Sequence, residues 1–101
     1  MAEVVWTSRA YADLEAIGDY YAQDAPGYAE TLVRKLLGAT DQLELFPASG
    51  RMVPEIEDES LREVIYRNYR IIYLHTPEED KVGVLSVVHT SRHLGGVPGA
   101  I

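Results

Sequence analysis

Apolar residues recur along this chain with two different periods, and the change of period divides it. A short β-branched and aromatic run, Glu3-Val4-Val5-Trp6, leads into Thr7-Ser8, either of which can cap a helix. Ala10, Leu14, Ile17 and Tyr21 then recur at spacings of four, three and four, which predicts a helix over residues 8–23 with one buried face. Asp24-Ala25-Pro26-Gly27 interrupts it, because Pro26 disfavours helical geometry at Ala25 but suits the first position of a new helix. A second stripe of Ala29, Leu32, Val33, Leu36, Leu37, Thr40 and Leu43 predicts an antiparallel second helix that runs to Phe46-Pro47. Gly38 inside it costs about 1 kcal/mol relative to Ala, and close helix packing is the expected reason.

Beyond the turn-rich Ala48-Ser49-Gly50-Arg51 the period shortens. Met52 to Ile56 is expected to be extended, followed by the acidic run Glu57-Asp58-Glu59 and three strand-like runs, Leu61 to Tyr66, Tyr69 to His75 and Val82 to His89. Arg67-Asn68 fits a two-residue hairpin loop, with Asn68 the residue that tolerates positive φ. That loop would place Ile65 opposite Arg70 and Arg62 opposite Tyr73, so each hairpin face receives one arginine, and Glu63 could pair with Arg70 diagonally. A one-residue slip would exchange the faces, so which arginine is buried stays open. The order is β-α-α-β-β-β, an α+β fold with a helical hairpin on one face of a small, mainly antiparallel sheet. Residues 1–101 are expected to form one domain, with 90–101 an irregular tail.

Composition narrows the function. The chain is 47% apolar and 25% charged, which is the globular average. With no cysteine it has no disulfide, thiolate metal site or cysteine nucleophile. No apolar run reaches the length of a membrane span, so a soluble, cytoplasmic protein is expected. The net charge of −7 argues against nucleic acid, yet it is uneven: residues 1–60 are net −8 and residues 61–101 are net +1.

Candidate chemistry is sparse. His75, His89 and His93 lack a ligand spacing, so no metal is expected, and no phosphate or dinucleotide motif suggests a cofactor. His89 ends an apolar strand and reads either as a hydrogen-bonded edge residue or as a proton carrier. Tyr11, Tyr21, Tyr66, Tyr69 and Tyr73 read as core and edge packing, with base stacking the alternative if some line a basic sheet face.

Val5-Trp6-Thr7 with Ala10, Asp13-Leu14 and Ile17 resembles the opening of the ParE/RelE superfamily of toxins from bacterial type II toxin–antitoxin modules, often described as plasmid-stabilisation proteins. The resemblance continues through Leu43, Phe46-Pro47, Ser49-Gly50-Arg51, Pro54-Glu55, Leu61-Arg62-Glu63, Tyr69 to Tyr73, and Val88-His89 with Arg92, covering residues 4–93. It implies the fold already read from the residues, and a partner, a ParD-like ribbon-helix-helix antitoxin in a hetero-oligomer. ParE-like members inhibit DNA gyrase; RelE-like members cut mRNA on the ribosome. The segments FPASGR, LREV and YRIIY resemble the ParE branch, which would make Arg51, Arg62, Arg70 and Arg92 target-binding residues rather than catalytic ones. One ribonuclease subgroup instead implies a metal-independent catalytic set of Glu55, Arg70 and His89, with a base on the ribose 2′-OH and arginine on the phosphate. A third reading is a non-toxic member that only binds antitoxin. Acidity and the scarcity of lysine favour a protein target, hence gyrase.

Overall fold

A computed structural model describes residues 1–91. The first strand, β1 (Glu3–Trp6), leads into α1 (Ser8–Ala22) and α2 (Pro26–Gly38). A short 3₁₀ turn (Asp41–Glu44) connects these to β2 (Arg51–Met52), β3 (Leu61–Tyr66), β4 (Tyr69–Thr76) and β5 (Lys81–His89). The strands form one sheet in the order β1-β5-β4-β3-β2, parallel only between β1 and β5. The expected α+β architecture is therefore present. Among the described residues no helix is long and apolar enough to cross a membrane.

Local chemistry explains the helix boundaries. Thr7 caps α1, its hydroxyl accepting from the Ala10 N–H at 3.1 Å, while its own N–H donates to the Val84 carbonyl of β5. Pro26 opens α2 as its first residue. The second helix stops at Gly38, eight residues before the expected end at Phe46. Thr40 makes the difference: buried beside the sheet, its hydroxyl accepts from the Trp6 indole N–H at 3.2 Å and donates to the Leu37 carbonyl at 3.0 Å. Leu43 keeps its place in the core because the 3₁₀ turn carries the apolar stripe onward. The close-packed glycine is also not the expected one. A Cβ on Gly18 would lie 3.0 Å from Val33 Cγ2 across the helix pair, whereas one on Gly38 would meet only Asp41 Oδ2 at 3.9 Å.

The hairpin register is the expected one, with Arg62 opposite Tyr73 and Ile65 opposite Arg70. Positive φ falls on Arg67 (52°) rather than on Asn68, so the loop turns at its first residue. Between β4 and β5 the register shifts: Ile72 faces Ser86 while Tyr73 faces Val84, leaving Leu85 as the extra residue. Val84 and Val87 are an odd number of positions apart, and the bulge is what lets both face the helices. The extended segment expected over Met52 to Ile56 is shorter, limited to Arg51–Met52. Pro54 has no N–H to continue the ladder, and Ile56 instead closes a turn onto the Val53 carbonyl.

Two apolar clusters result. The larger packs Trp6, Ala10, Leu14, Leu32 and Leu36 onto Ile71, Tyr73, Val82, Val84 and Val87. On the opposite sheet face the loop after β2 lays Val53 and Ile56 over Ile72, Val88 and Leu61. Of the expected 90–101 tail, Thr90 and Ser91 form a turn and the rest lies outside the described residues.

Candidate functional site

The alternation of β3 and β4 puts Glu63, Ile65, Arg70 and Ile72 on the sheet face away from the helices. Arg70 there lies between two carboxylates. Its Nε donates to Glu63 Oε1 at 2.6 Å, and Nη1 and Nη2 each donate to a different oxygen of Glu55, also at 2.6 Å. The other oxygen of Glu63 accepts from Arg51 Nε at 2.5 Å. The side chains of Glu63, Arg70 and Glu55 are 0%, 5% and 10% exposed, while Arg51 reaches into solvent. Hydrogen bonding to Glu55 raises the Arg70 pKa further above its ordinary value; burial opposes this and the Glu63 contact reinforces it. The expected Glu63–Arg70 pair is thus one link of a four-residue chain.

The other predicted site residues lie elsewhere. Arg62 points to the helix side with Tyr73 and donates from Nη1 to the Gly50 carbonyl at 3.0 Å. Gly50 is held there by the Tyr73 hydroxyl, which accepts the Gly50 N–H at 3.0 Å and donates to the Pro47 carbonyl at 2.8 Å. A Cβ on Gly50 would come within 2.6 Å of that hydroxyl. His89 is paired with Tyr69, on the face opposite Arg70, and the two rings meet edge to face at 5.8 Å. Its Nδ1 accepts from the Ser91 N–H at 3.2 Å. Glu55 and Arg70 are therefore brought together, and His89 is separated from both by the sheet. His75 lies on β4 with its N–H bonded to the Ser60 carbonyl; Arg92 and His93 lie outside the described residues. Among the described residues no three His, Asp or Glu side chains cluster as metal ligands.

Two concavities were not anticipated. Beside His89, a cleft of about 270 Å³ is lined by Arg9, Asp13, Ile17, Tyr69 and Val87. Asp13 Oδ2 accepts the Val87 N–H at 2.9 Å, which ties α1 to β5 just past the bulge. A carboxylate beside the apolar stripe of α1 was the sequence signal for it. The larger groove, about 550 Å³, runs between α1 and α2, away from the arginine chain, and is floored by Leu14, Gly18, Ala22, Ala29, Val33 and Leu37.

The sequence profile described as "ParE toxin of type II toxin-antitoxin system, parDE" matches residues 4–94. The chain belongs to the ParE toxin family. This ParE-family chain is 43% identical over 92 residues to "Toxin RelE2" of Caulobacter vibrioides, an alignment covering 91% of this chain and 99% of the relative. Among solved structures it resembles a chain of the "Chromosomal ParDE TA system from P. aeruginosa", with a TM-score of 0.74, 23% identity and coverage of 88% and 96%. It also resembles a chain of the RelBE2 toxin–antitoxin complex of Mycobacterium tuberculosis, with a TM-score of 0.60, 21% identity and coverage of 90% and 93%. At these identities the structural likeness bears on the fold. The ParE-family toxin is thus a type II toxin–antitoxin component of the ParE/RelE superfamily.

Proposed function

We propose that this toxin acts as ParE-like proteins do, by binding and inhibiting DNA gyrase in the cytoplasm, without catalysis, and that a ParD-like ribbon-helix-helix antitoxin neutralises it. The observation that supports this reading is the split of the acid–base set: Glu55 forms a two-pronged pair with Arg70, while His89 stands on the other sheet face. Phosphodiester cleavage needs base, acid and cation to converge on one phosphate. Acidity works in the same direction, since counterion release on ribosomal RNA requires several cationic contacts. Of the target-binding set Arg51, Arg62, Arg70 and Arg92, exposure favours Arg51, the outer end of the arginine chain, while Arg70 is held between Glu55 and Glu63 and Arg62 lies on the other sheet face. The α1–α2 groove has the apolar floor that an amphipathic helix of the antitoxin requires.

Purified toxin is expected to block gyrase supercoiling, and added antitoxin to restore it; normal supercoiling at saturating toxin would reject the proposal. A second reading, ribosome-dependent mRNA cleavage, draws support from the name of the Caulobacter relative. Induced expression separates the two, because gyrase inhibition triggers the SOS response and mRNA cleavage arrests translation. Cleavage that persists in Glu55→Ala and His89→Ala would also remove those residues from any catalytic role. Unimpaired growth on expression of folded toxin would instead favour a non-toxic antitoxin binder.

A further inference from the structure

Several tyrosines are not used by any contact the toxin reading requires, and they converge at one end of the molecule. Where the end of α1 meets the start of α2, Tyr20, Tyr21 and Tyr28 stack edge to face, with ring centroids 5.1 and 5.3 Å apart. Tyr69 extends the row, its hydroxyl 3.4 Å from that of Tyr21. Core packing explains Tyr21 and Tyr69, which lean on the main apolar cluster. It does not explain Tyr20 and Tyr28, which are 68% and 47% exposed although each carries a large apolar ring. At the neighbouring β3–β4 loop the Arg67 guanidinium already lies over a tyrosine ring, that of Tyr66, at 5.7 Å from its centroid.

We propose that the exposed rings of Tyr20 and Tyr28 form an interaction surface for an arginine-bearing segment of a protein partner, whose guanidinium groups lie flat on them. Charge selects this occupant over a nucleic acid. Residues 19–28 contain Asp19 and Asp24 and no lysine or arginine, so the stretch that carries both rings is net −2. Such a field draws cations and repels a phosphate backbone. Single-strand binding surfaces pair their stacking rings with a cationic groove, and here the nearby Arg67 is engaged with Tyr66. Tyrosine also offers a rigid contact area at small entropic cost, which is why it anchors interfaces. Arginine suits the rings better than lysine because its planar, weakly hydrated head stacks on an aromatic face.

NMR titration of the full toxin tests this, with the hexapeptide acetyl-Arg-Ala-Arg-Ala-Arg-Ala-amide, its lysine counterpart and decauridylate as probes. Saturable shifts of the Tyr20 and Tyr28 ring resonances are expected with the arginine peptide, together with weaker binding of the lysine peptide. Affinity is expected to fall about tenfold in the double variant Tyr20→Leu/Tyr28→Leu and to persist in Tyr20→Phe/Tyr28→Phe, where the rings remain. Equal affinity in the leucine variant would overturn the proposal, as would unmoved tyrosine rings or decauridylate displacing the peptide from them. The outcome does not depend on whether gyrase is the target.

Discussion

Arg70 shows how a single buried charge constrains its surroundings. With Glu63 fully buried beside it and Glu55 across its fork, removing the guanidinium would leave the Glu63 carboxylate in the interior with only the exposed Arg51 to pair it. Arg70→Ala is therefore expected to cost about 3–5 kcal/mol, whereas Arg70→Met combined with Glu63→Leu is expected to cost much less, because no buried charge is then stranded. Urea unfolding of the two variants measures the difference. Two tyrosines impose a pH limit. Burial is the main cause that raises the Tyr69 and Tyr73 hydroxyls above their ordinary pKa, aided at Tyr69 by its hydrogen bond to Tyr21. Their contribution to stability is complete below the unfolded-chain value of about 10 and is lost as pH rises from there toward the folded-state values. Melting temperature should thus be level near pH 8–9 and decline above about 10, less steeply in Tyr69→Phe.

Gly18 lets the helical hairpin close against Val33, and both residues lie in the floor of the apolar groove between the helices. A charge placed there should act on the partner more than on the fold: Ala22→Glu, at an exposed position, is expected to weaken antitoxin binding about tenfold or more while leaving the circular dichroism spectrum unchanged. Calorimetric titration with the antitoxin measures it. Hairpin and strands were legible in the sequence where a local rule governs them: a cap at Thr7 or Ser8, Pro26 at a helix start, and the two-residue loop that put Arg62 opposite Tyr73 unless the register slipped. The end of α2 was not, because the residue that stops it is anchored to Trp6, 34 positions earlier. Nor was the bulge at Leu85, since a strand apolar from Val84 to Val88, save for Ser86, has no alternation to break. For the candidate site the Glu63–Arg70 link could be anticipated from register. Glu55 joins it only because the loop after β2 folds back over the sheet, and a contact between positions fifteen apart in irregular chain has no periodic signature.

Across the whole molecule, the negative charge is concentrated between α2 and β3: residues 39–60 hold Asp41, Glu44, Glu55, Glu57, Asp58 and Glu59 against Arg51 alone, whereas α1 and α2 nearly balance their acids with Arg9, Arg34 and Lys35. The sheet itself joins the first described strand to the last. Among the described residues β1 has no strand neighbour except β5, and Thr7, which caps α1, takes its backbone partner from Val84. A chain ending at Asp80 is accordingly expected to stay unfolded, as circular dichroism would show, because Trp6, Ala10 and Leu14 lose the strand on which they pack. The order of synthesis then matters. As the protein emerges from the ribosome, β1 waits for β5 before it has a strand to pair with, so the N-terminal edge of the sheet and the start of α1 take their final form only after His89 has been made.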